Sequence, residues 1–155
     1  TLLEAGPRIL PALPEKLAAA AAHELGVLGV EVRPQVQVVE ARPRQLITKN
    51  GEVIEADLIV WAAGVKGADF LSGLGLETNP RNQILVTDTL QTTVDPCIYA
   101  LADCASYTPP GEDRPVPPRA QAAHQMAGTV FDNIVRMQQG KPLKHFTYHD
   151  KGSLV

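Results

Sequence analysis

Apolar residues recur along this chain in two patterns, one typical of helices and one typical of strands. A helix is predicted over residues 14–25, because Pro14 suits the first helical position and an alanine-rich run follows it; Gly26 is expected to end it. A longer helix is predicted from residue 118 to about residue 138. Its apolar residues recur at steps of three and four, as in a helix that buries one face: Ala120, Ala123, Ala127, Val130, Phe131 and Ile134.

Short apolar runs predict strands in the rest of the chain. Asn50-Gly51 lies between two such runs and is the strongest short signal for a hairpin. Residues 58–61 are wholly apolar and predict a buried strand, and the strand–helix–strand opening of the chain predicts an α/β fold. The predicted strands are residues 1–3, 30–32, 36–39, 45–48, 52–54, 58–61, 84–86, 97–101 and 146–148. Residues 65–82 are predicted as a loop with a short helix, and residues 108–118, with five prolines, as a surface loop.

Composition and charge narrow the functional classes. The 155 residues, 45% of them hydrophobic and 20% charged, suffice for one ordinary globular domain. A net charge of −3 speaks against a nucleic-acid binder, which usually carries a clustered basic excess. No apolar run approaches the roughly 20 residues that span a bilayer, and no signal peptide is recognisable. Cys97 and Cys104 lack the spacing of metal ligands, so no metal site is predicted, and they weakly favour a cytosolic compartment.

Three sets of residues suggest a dinucleotide site, and each has an ordinary structural alternative. Glu4 follows the first strand, where an acid can accept hydrogen bonds from the ribose hydroxyls of NADH, although a simple turn carboxylate is the commoner explanation of such a residue taken alone. Ala63 and Gly64 end the apolar strand with small residues that let a ligand approach, or merely form a tight turn. Asp103 ends the run 97–101 and can bind the hydroxyls of a sugar-like chain, or cap a turn.

Taken in this order, these residues resemble the pyridine nucleotide–disulfide oxidoreductase superfamily. Within it, the chain is similar to the type II NADH dehydrogenases (NADH:quinone oxidoreductases). The stretches TLLEAGPRIL, WAAG and IYALADCA match motifs shared across the superfamily. Residues 119–125, RAQAAHQ, are similar to the AQxAxQ quinone-site motif of the type II enzymes, and residues 148–154, YHDKGSL, to the segment that closes over their flavin.

The resemblance implies a fold and a set of roles. The fold is a partial two-dinucleotide-binding-domain (FAD/NAD(P)-binding, Rossmann-like) α/β fold, with residues 1–64 from the NADH-binding domain and residues 65–155 from the FAD-binding domain. FAD would be bound by Ala63, Gly64 and Asp103, the NADH ribose by Glu4. Residues expected near the flavin are Ala120, Gln121 and Lys151, and Gln121 and Gln125 are expected at the quinone site. The family usually has Gly-Asp where this chain has Ala102-Asp103, and the added methyl group is expected to crowd the flavin phosphate or shift the backbone.

The start of the long helix supports the resemblance on physical grounds. Pro117-Pro118 fixes its beginning and leaves the first N–H groups without partners inside the helix. A helix N-terminus favours the negative charge that reduced flavin carries along one edge. Gln121 and Gln125 are four residues apart and share a face. An ordinary amphipathic helix with surface glutamines is the alternative.

The implied enzyme takes a hydride from NADH onto FAD and passes electrons to a quinone. It is expected in the cytoplasm or peripherally on the cytoplasmic face of the inner membrane, reaching the membrane through segments outside this chain. A homodimer is left open, and no nucleic-acid partner is expected. Because the Gly-rich loops are not in this chain, we expect both ends to be boundaries, and the isolated chain to bind no stoichiometric FAD and to self-associate. A sulfide:quinone or ferredoxin-type reductase, or an inactive folded module, remain as alternatives.

Overall fold

The computed structural model describes residues 1–152, which form two compact units. The first unit ends at Ala62 and the second begins at Ala63. Both contain helix and strand, so the expected α/β class is observed. In the described part of the chain, neither helix is long and apolar enough to cross a membrane.

The first unit opens with a strand–helix–strand motif. Strand β1 (Leu2–Leu3) lies parallel to β2 (Val32–Arg33), and helix α1 (Glu15–Val27) connects them. Helix α1 runs through Gly26, where the sequence predicted its end, because the left-handed residue that closes a helix is Gly29, at φ +77°.

A three-stranded antiparallel sheet completes the first unit. Its strands are β3 (Val38–Arg42), β4 (Gln45–Thr48) and β5 (Val53–Glu55). The predicted hairpin is confirmed: Gly51 adopts φ +87°, and the Thr48 N–H donates to the Glu52 carbonyl at 3.0 Å. The Arg33 guanidinium donates to both carboxylate oxygens of Glu52 at 2.8 Å, and this hydrogen bond lowers the pKa of Glu52.

The predicted buried strand over residues 58–61 is wrong in this structure. Leu58, Val60 and Trp61 are 80%, 79% and 61% exposed, and the segment has no strand assignment. A strand needs a neighbour to pair its backbone N–H and C=O groups. Within residues 1–152 no strand pairs with this segment, so its apolar composition is not enough to make it a strand.

The second unit is built around helix α2 and a small parallel pair of strands. Strand β6 (Ile84–Leu85) pairs with β7 (Ala105–Ser106), and two short 3-10 helices cover Asp69–Gly73 and Ala102–Cys104. The predicted strand 97–101 contributes an isolated bridge from Tyr99 to Gln91. The buried core contains Leu71, Ile84, Val86, Leu90, Ala100, Ala105, Tyr107, Met126, Val130 and Phe146.

Helix α2 (Ala120–Gln138) matches the predicted range closely, but the face that it buries coincides with the predicted one only at Val130. Its buried residues are Ala122, Met126, Val130 and Asn133. Phe131 is 68% exposed and Ile134 39% exposed, although both were assigned to the buried face. The prediction was wrong because apolar residues line more than one face of α2, so their periodicity did not identify the buried one, and the buried stripe also includes an asparagine.

Asn133 is fully buried because its amide is completely hydrogen-bonded. Its Nδ2 donates to the carbonyl oxygens of Thr89, at 3.1 Å, and Lys144, at 3.0 Å. Its Oδ1 accepts from the Lys144 N–H at 2.7 Å. Buried polar groups are tolerated when they are paired in this way. Asn133 therefore attaches the chain after α2 to the helix.

That chain, residues 141–152, is called the tail below. Residues 146–148 were predicted as a strand, and this is wrong, because no ladder forms there. Instead Phe146 is buried, stacks edge-on against Tyr107 with ring centroids 5.7 Å apart, and donates its N–H to the Asp88 carbonyl at 2.6 Å. The tail is thus anchored by side chains rather than by a neighbouring strand.

Candidate functional site

Glu4 lies directly after β1, and its carboxylate stabilises the turn that follows. The Gly6 N–H donates to Glu4 Oε1 at 2.6 Å, while the Glu4 backbone bonds Arg33 and Val36 at 3.0 Å each. The turn reading is therefore realised in the structure. A carboxylate offers about four acceptor positions, so Glu4 retains the capacity to accept ribose hydroxyls as well.

Ala63 and Gly64 open the second unit on an exposed stretch of backbone. Gly64 has φ +110°, a conformation that side chains disfavour, and a Cβ built there would meet nothing within 4 Å. The backbone at this point is accessible from solvent, as a ligand-approach position requires.

Asp103 lies in the short helix Ala102–Cys104 with its side chain exposed. Its backbone is fixed, because Nε2 of the buried Gln83 donates to the Asp103 carbonyl at 2.9 Å. Among residues 1–152, no hydrogen bond or ion pair occupies its carboxylate, so the turn-cap alternative is not realised. An anchored backbone with a free carboxylate can accept hydrogen bonds from the hydroxyls of a bound ligand.

Ala102, the departure from the family pattern, adopts φ +60°. Residues with a Cβ disfavour this left-handed region by about 1–2 kcal/mol, whereas glycine enters it freely. Its N–H donates to Met126 Sδ, a weak acceptor, at 3.3 Å, and this contact joins the short helix to α2. The backbone thus has the conformation that a glycine would favour, and the chain accommodates alanine there at a cost.

Substituting Ala102→Gly should therefore stabilise the protein. Relief of the left-handed conformation outweighs the unfolded-state entropy of glycine, roughly 0.5–1 kcal/mol, and leaves a net gain of about 0.5–1 kcal/mol. The midpoint of urea unfolding measures it. The control is Ala127→Gly, on the exposed face of α2, which should destabilise by about 1 kcal/mol. Equal losses in both variants would contradict the assigned strain.

The start of α2 has no capping side chain and no acidic residue within its own first turn. Arg119 is the N-cap residue and makes no capping hydrogen bond to the helix, and the first turn contains no acidic residue. Ala120 is the first helical residue and is exposed. This end of α2 therefore favours a negative group placed next to it.

The tail supplies contacts to this end of α2, through both glutamines of the motif. Gln125 Nε2 donates to the His149 carbonyl at 3.0 Å, and Gln125 Oε1 accepts from the His149 N–H at 2.9 Å. Gln121 Oε1 accepts from the Lys151 N–H at 3.0 Å, and its Nε2 donates to the Gly152 carbonyl at 3.1 Å. We call these contacts the amide clamp.

The sequence predicted that these residues belong to a site, but it did not predict the amide clamp. It placed Gln121, Gln125 and Lys151 near one site, and the structure brings all three together. Side-chain-to-backbone hydrogen bonds leave no periodic pattern in a sequence, so no signal could have announced them. Ser153 and Leu154, the end of the flavin-closing motif, lie outside the described residues.

The second unit thus combines features that fit a flavin dinucleotide. Asp103 presents an unoccupied carboxylate for hydroxyl groups, and the start of α2 favours a negative edge. The short helix that carries Asp103 contacts α2 through Ala102 and Met126. No cluster of three potential metal ligands occurs in the described part of the chain.

Comparison with known proteins gives a consistent family. Residues 1–127 match the model of the pyridine nucleotide-disulphide oxidoreductase family. The chain is 53% identical, over its whole length and 35% of the relative, to the type II NADH:quinone oxidoreductase of Haemophilus influenzae. It is 31% identical, over 99% of its length and 39% of the relative, to the enzyme of the same name from Staphylococcus saprophyticus.

A solved structure supports the fold. The chain superposes with a TM-score of 0.65 on an FAD-dependent pyridine nucleotide-disulphide oxidoreductase from Desulfovibrio vulgaris, at 27% identity, over 86% of this chain and 35% of that one. This confirms the expected partial dinucleotide-binding fold. The chain spans little more than a third of the curated relatives that it matches.

Proposed function

The chain belongs to the pyridine nucleotide-disulphide oxidoreductase family, and on this basis we propose that the protein containing it is a flavoprotein NADH:quinone oxidoreductase. The observation that carries the proposal is the similarity of every part of the chain to an enzyme of that name. The alternative sulfide:quinone and ferredoxin-type reductases share the superfamily motifs, whereas residues 119–125 and 148–154 are similar to motifs of the type II enzymes.

We assign the cofactor roles to the residues whose geometry fits them. FAD, when bound, accepts two electrons as a hydride from NADH and releases them to the acceptor. Asp103 would hold the ribityl hydroxyls with its free carboxylate, and Ala63-Gly64 would give the cofactor close access to the backbone. Glu4 would bind the ribose of NADH with the acceptor positions that Gly6 leaves unused. A carboxylate there repels the 2′-phosphate of NADPH and favours NADH.

The acceptor side is assigned to the start of α2 and the tail. Ala120, Gln121 and Lys151 would border the flavin, and Gln121 and Gln125 would belong to the quinone site. Hydrogen-bond donors near a quinone stabilise the negative charge that develops on its oxygens during reduction.

The wider setting is proposed from the same family. Residues 1–64 would belong to the NADH-binding domain and residues 65–155 to the FAD-binding domain. The enzyme would act in the cytoplasm or peripherally on the cytoplasmic face of the inner membrane, attached through segments outside this chain. A homodimer remains a proposal to be tested by light scattering.

The acceptor separates this proposal from its rivals. We expect the purified full-length protein to oxidise NADH faster than NADPH and to reduce a soluble quinone without sulfide or ferredoxin. Steady-state NADH oxidation with each acceptor in turn measures this. A requirement for sulfide as the electron donor, or activity with oxidised ferredoxin and none with quinone, would assign the chain to those reductases. No turnover by a flavin-loaded protein would indicate an inactive module.

A further inference from the structure

We propose that Gln121 and Gln125 are positioning residues, whose amides dock residues 149–152 of the tail on the first two turns of α2. Their effect on the acceptor half-reaction is exerted through the tail that they hold, and this consequence rests on the proposed function. The docking itself follows from the contacts and is independent of it.

Each glutamine satisfies the backbone as a neighbouring strand would. The Gln125 amide both donates to and accepts from one residue, His149, as two paired peptides do in a ladder. Gln121 accepts from the Lys151 N–H and donates to the Gly152 carbonyl. The tail therefore needs no neighbouring strand here, because the two glutamine side chains bond the backbone groups that such a strand would bond.

The spacing of the contacts matches an extended chain laid along a helix. Gln121 and Gln125 are four residues apart, which is about 6 Å along a helix axis. His149 and Lys151 are two residues apart, which is about 6.6 Å along an extended chain. Because these two distances agree, both glutamine amides can form hydrogen bonds with the tail at the same time.

The tail is held more firmly at its inner end than at its outer end. Lys144 is bonded to the fully buried Asn133, and Phe146 is buried in the core. The bonds to Gln121 and Gln125 lie at exposed positions, where water competes for the same groups. Opening of the outer end can therefore occur while the inner end stays attached.

Docking also brings a charge to the start of α2. Asp150 Oδ1 accepts from Gln121 Nε2 at 3.1 Å, and Asp150 Oδ2 lies 3.6 Å from Arg119 Nη1. The first turn of α2 has no acid of its own. Asp150 thus places a negative charge beside the residues that begin α2, where the helix dipole favours it, and Gln121 and Arg119 both contact its carboxylate.

The clamp uses both the donor and the acceptor of each glutamine amide. A glutamine that also bound a quinone directly would have to share or release these hydrogen bonds. Loss of either amide should therefore free the nearby tail first, and alter quinone reduction as a result of that change.

Hydrogen–deuterium exchange on the full-length, FAD-loaded protein tests the proposal. Methionine keeps the length of the glutamine side chain without its amide. Gln125→Met should lower protection of the His149 amide about tenfold, and Gln121→Met should do the same for Lys151. The Lys144 and Phe146 amides should remain protected in both. The control is Gln138→Met, at an exposed glutamine near the end of α2, which should change none of them.

A graded variant and a kinetic readout complete the test. Gln125→Glu keeps the acceptor for the His149 N–H but loses the donor to its carbonyl, so its loss of protection should be smaller than that of Gln125→Met. In both, kcat/KM for quinone should fall while the rate of flavin reduction by NADH is kept, a split that general loss of structure would not give. If the His149 and Lys151 amides stay protected in the methionine variants, the positioning role is refuted, whether or not quinone is the acceptor.

Discussion

Replacing Asp103 with alanine in the full-length protein should release most of its flavin. The Asp103 carboxylate is exposed and unpaired within residues 1–152, on a backbone fixed by Gln83, and we propose that it binds the ribityl chain of FAD. Hydrogen bonds to a charged group contribute about 1.5–3 kcal/mol. Their loss weakens FAD binding roughly tenfold to more than a hundredfold. The flavin absorbance that remains after dialysis, per protein chain, measures the effect.

Asp113→Ala provides the matched control for this experiment. Asp113 is an exposed acid in the proline-rich loop of the same unit, and its removal should leave FAD occupancy unchanged. Unfolding midpoints of the flavin-free variants should agree, since neither carboxylate holds the fold. If Asp103→Ala keeps one FAD per chain after dialysis, the assignment of Asp103 to the cofactor site is wrong.

The alanine variants of Gln121 and Gln125 should separate the two half-reactions. Hydride transfer requires NADH and flavin, whose hydrogen bonds are assigned to Glu4 and Asp103, so stopped-flow reduction by NADH should stay near the parent rate. Reoxidation by quinone should slow tenfold or more, at about 1.4 kcal/mol per tenfold. That exceeds the usual ±0.5 kcal/mol of a surface substitution. Gln138→Ala serves as the control at the far end of the same helix.

The stopped-flow outcomes distinguish three arrangements. Reoxidation at the parent rate in both variants would make the clamp a purely structural feature and remove the glutamines from the acceptor site. Slowed reduction alone would indicate that the start of α2 affects the flavin and that the acceptor binds elsewhere. Slowed reoxidation alone is the result that the proposal requires.

Local signals in the sequence predicted several elements of the fold. Asn50-Gly51 predicted the hairpin, because few other residues adopt its turn geometry, and the run of small and apolar residues predicted the extent of α2. Apolarity did not identify the buried face of α2, because Phe131 and Ile134 are apolar but exposed. Asn133 enters the core because its amide is paired by the backbone of two other residues. Residues 58–61 failed as a strand because strand formation depends on a neighbour, which composition does not reveal.

The sequence predicted the candidate site in part as well. Motif resemblance selected Asp103, Gln121, Gln125 and Lys151. In the structure the two glutamines lie on α2, the backbone of Lys151 bonds Gln121, and the short helix that carries Asp103 contacts α2. It did not reveal that both glutamine amides bond the tail, because such contacts depend on how two segments lie in space. The left-handed backbone at Ala102 was also not predicted, because alanine gives no sign of it. The glycine that the family usually has at that position is consistent with it.

Anaerobic absorbance spectroscopy of the full-length protein tests the central claim most directly. The protein as purified should show the absorbance of oxidised flavin, and one equivalent of NADH should bleach it. Addition of one equivalent of a soluble quinone should then restore the oxidised spectrum. A flavin that NADH does not bleach, or a reduced flavin that quinone leaves unchanged, would contradict the assignment as an NADH:quinone oxidoreductase.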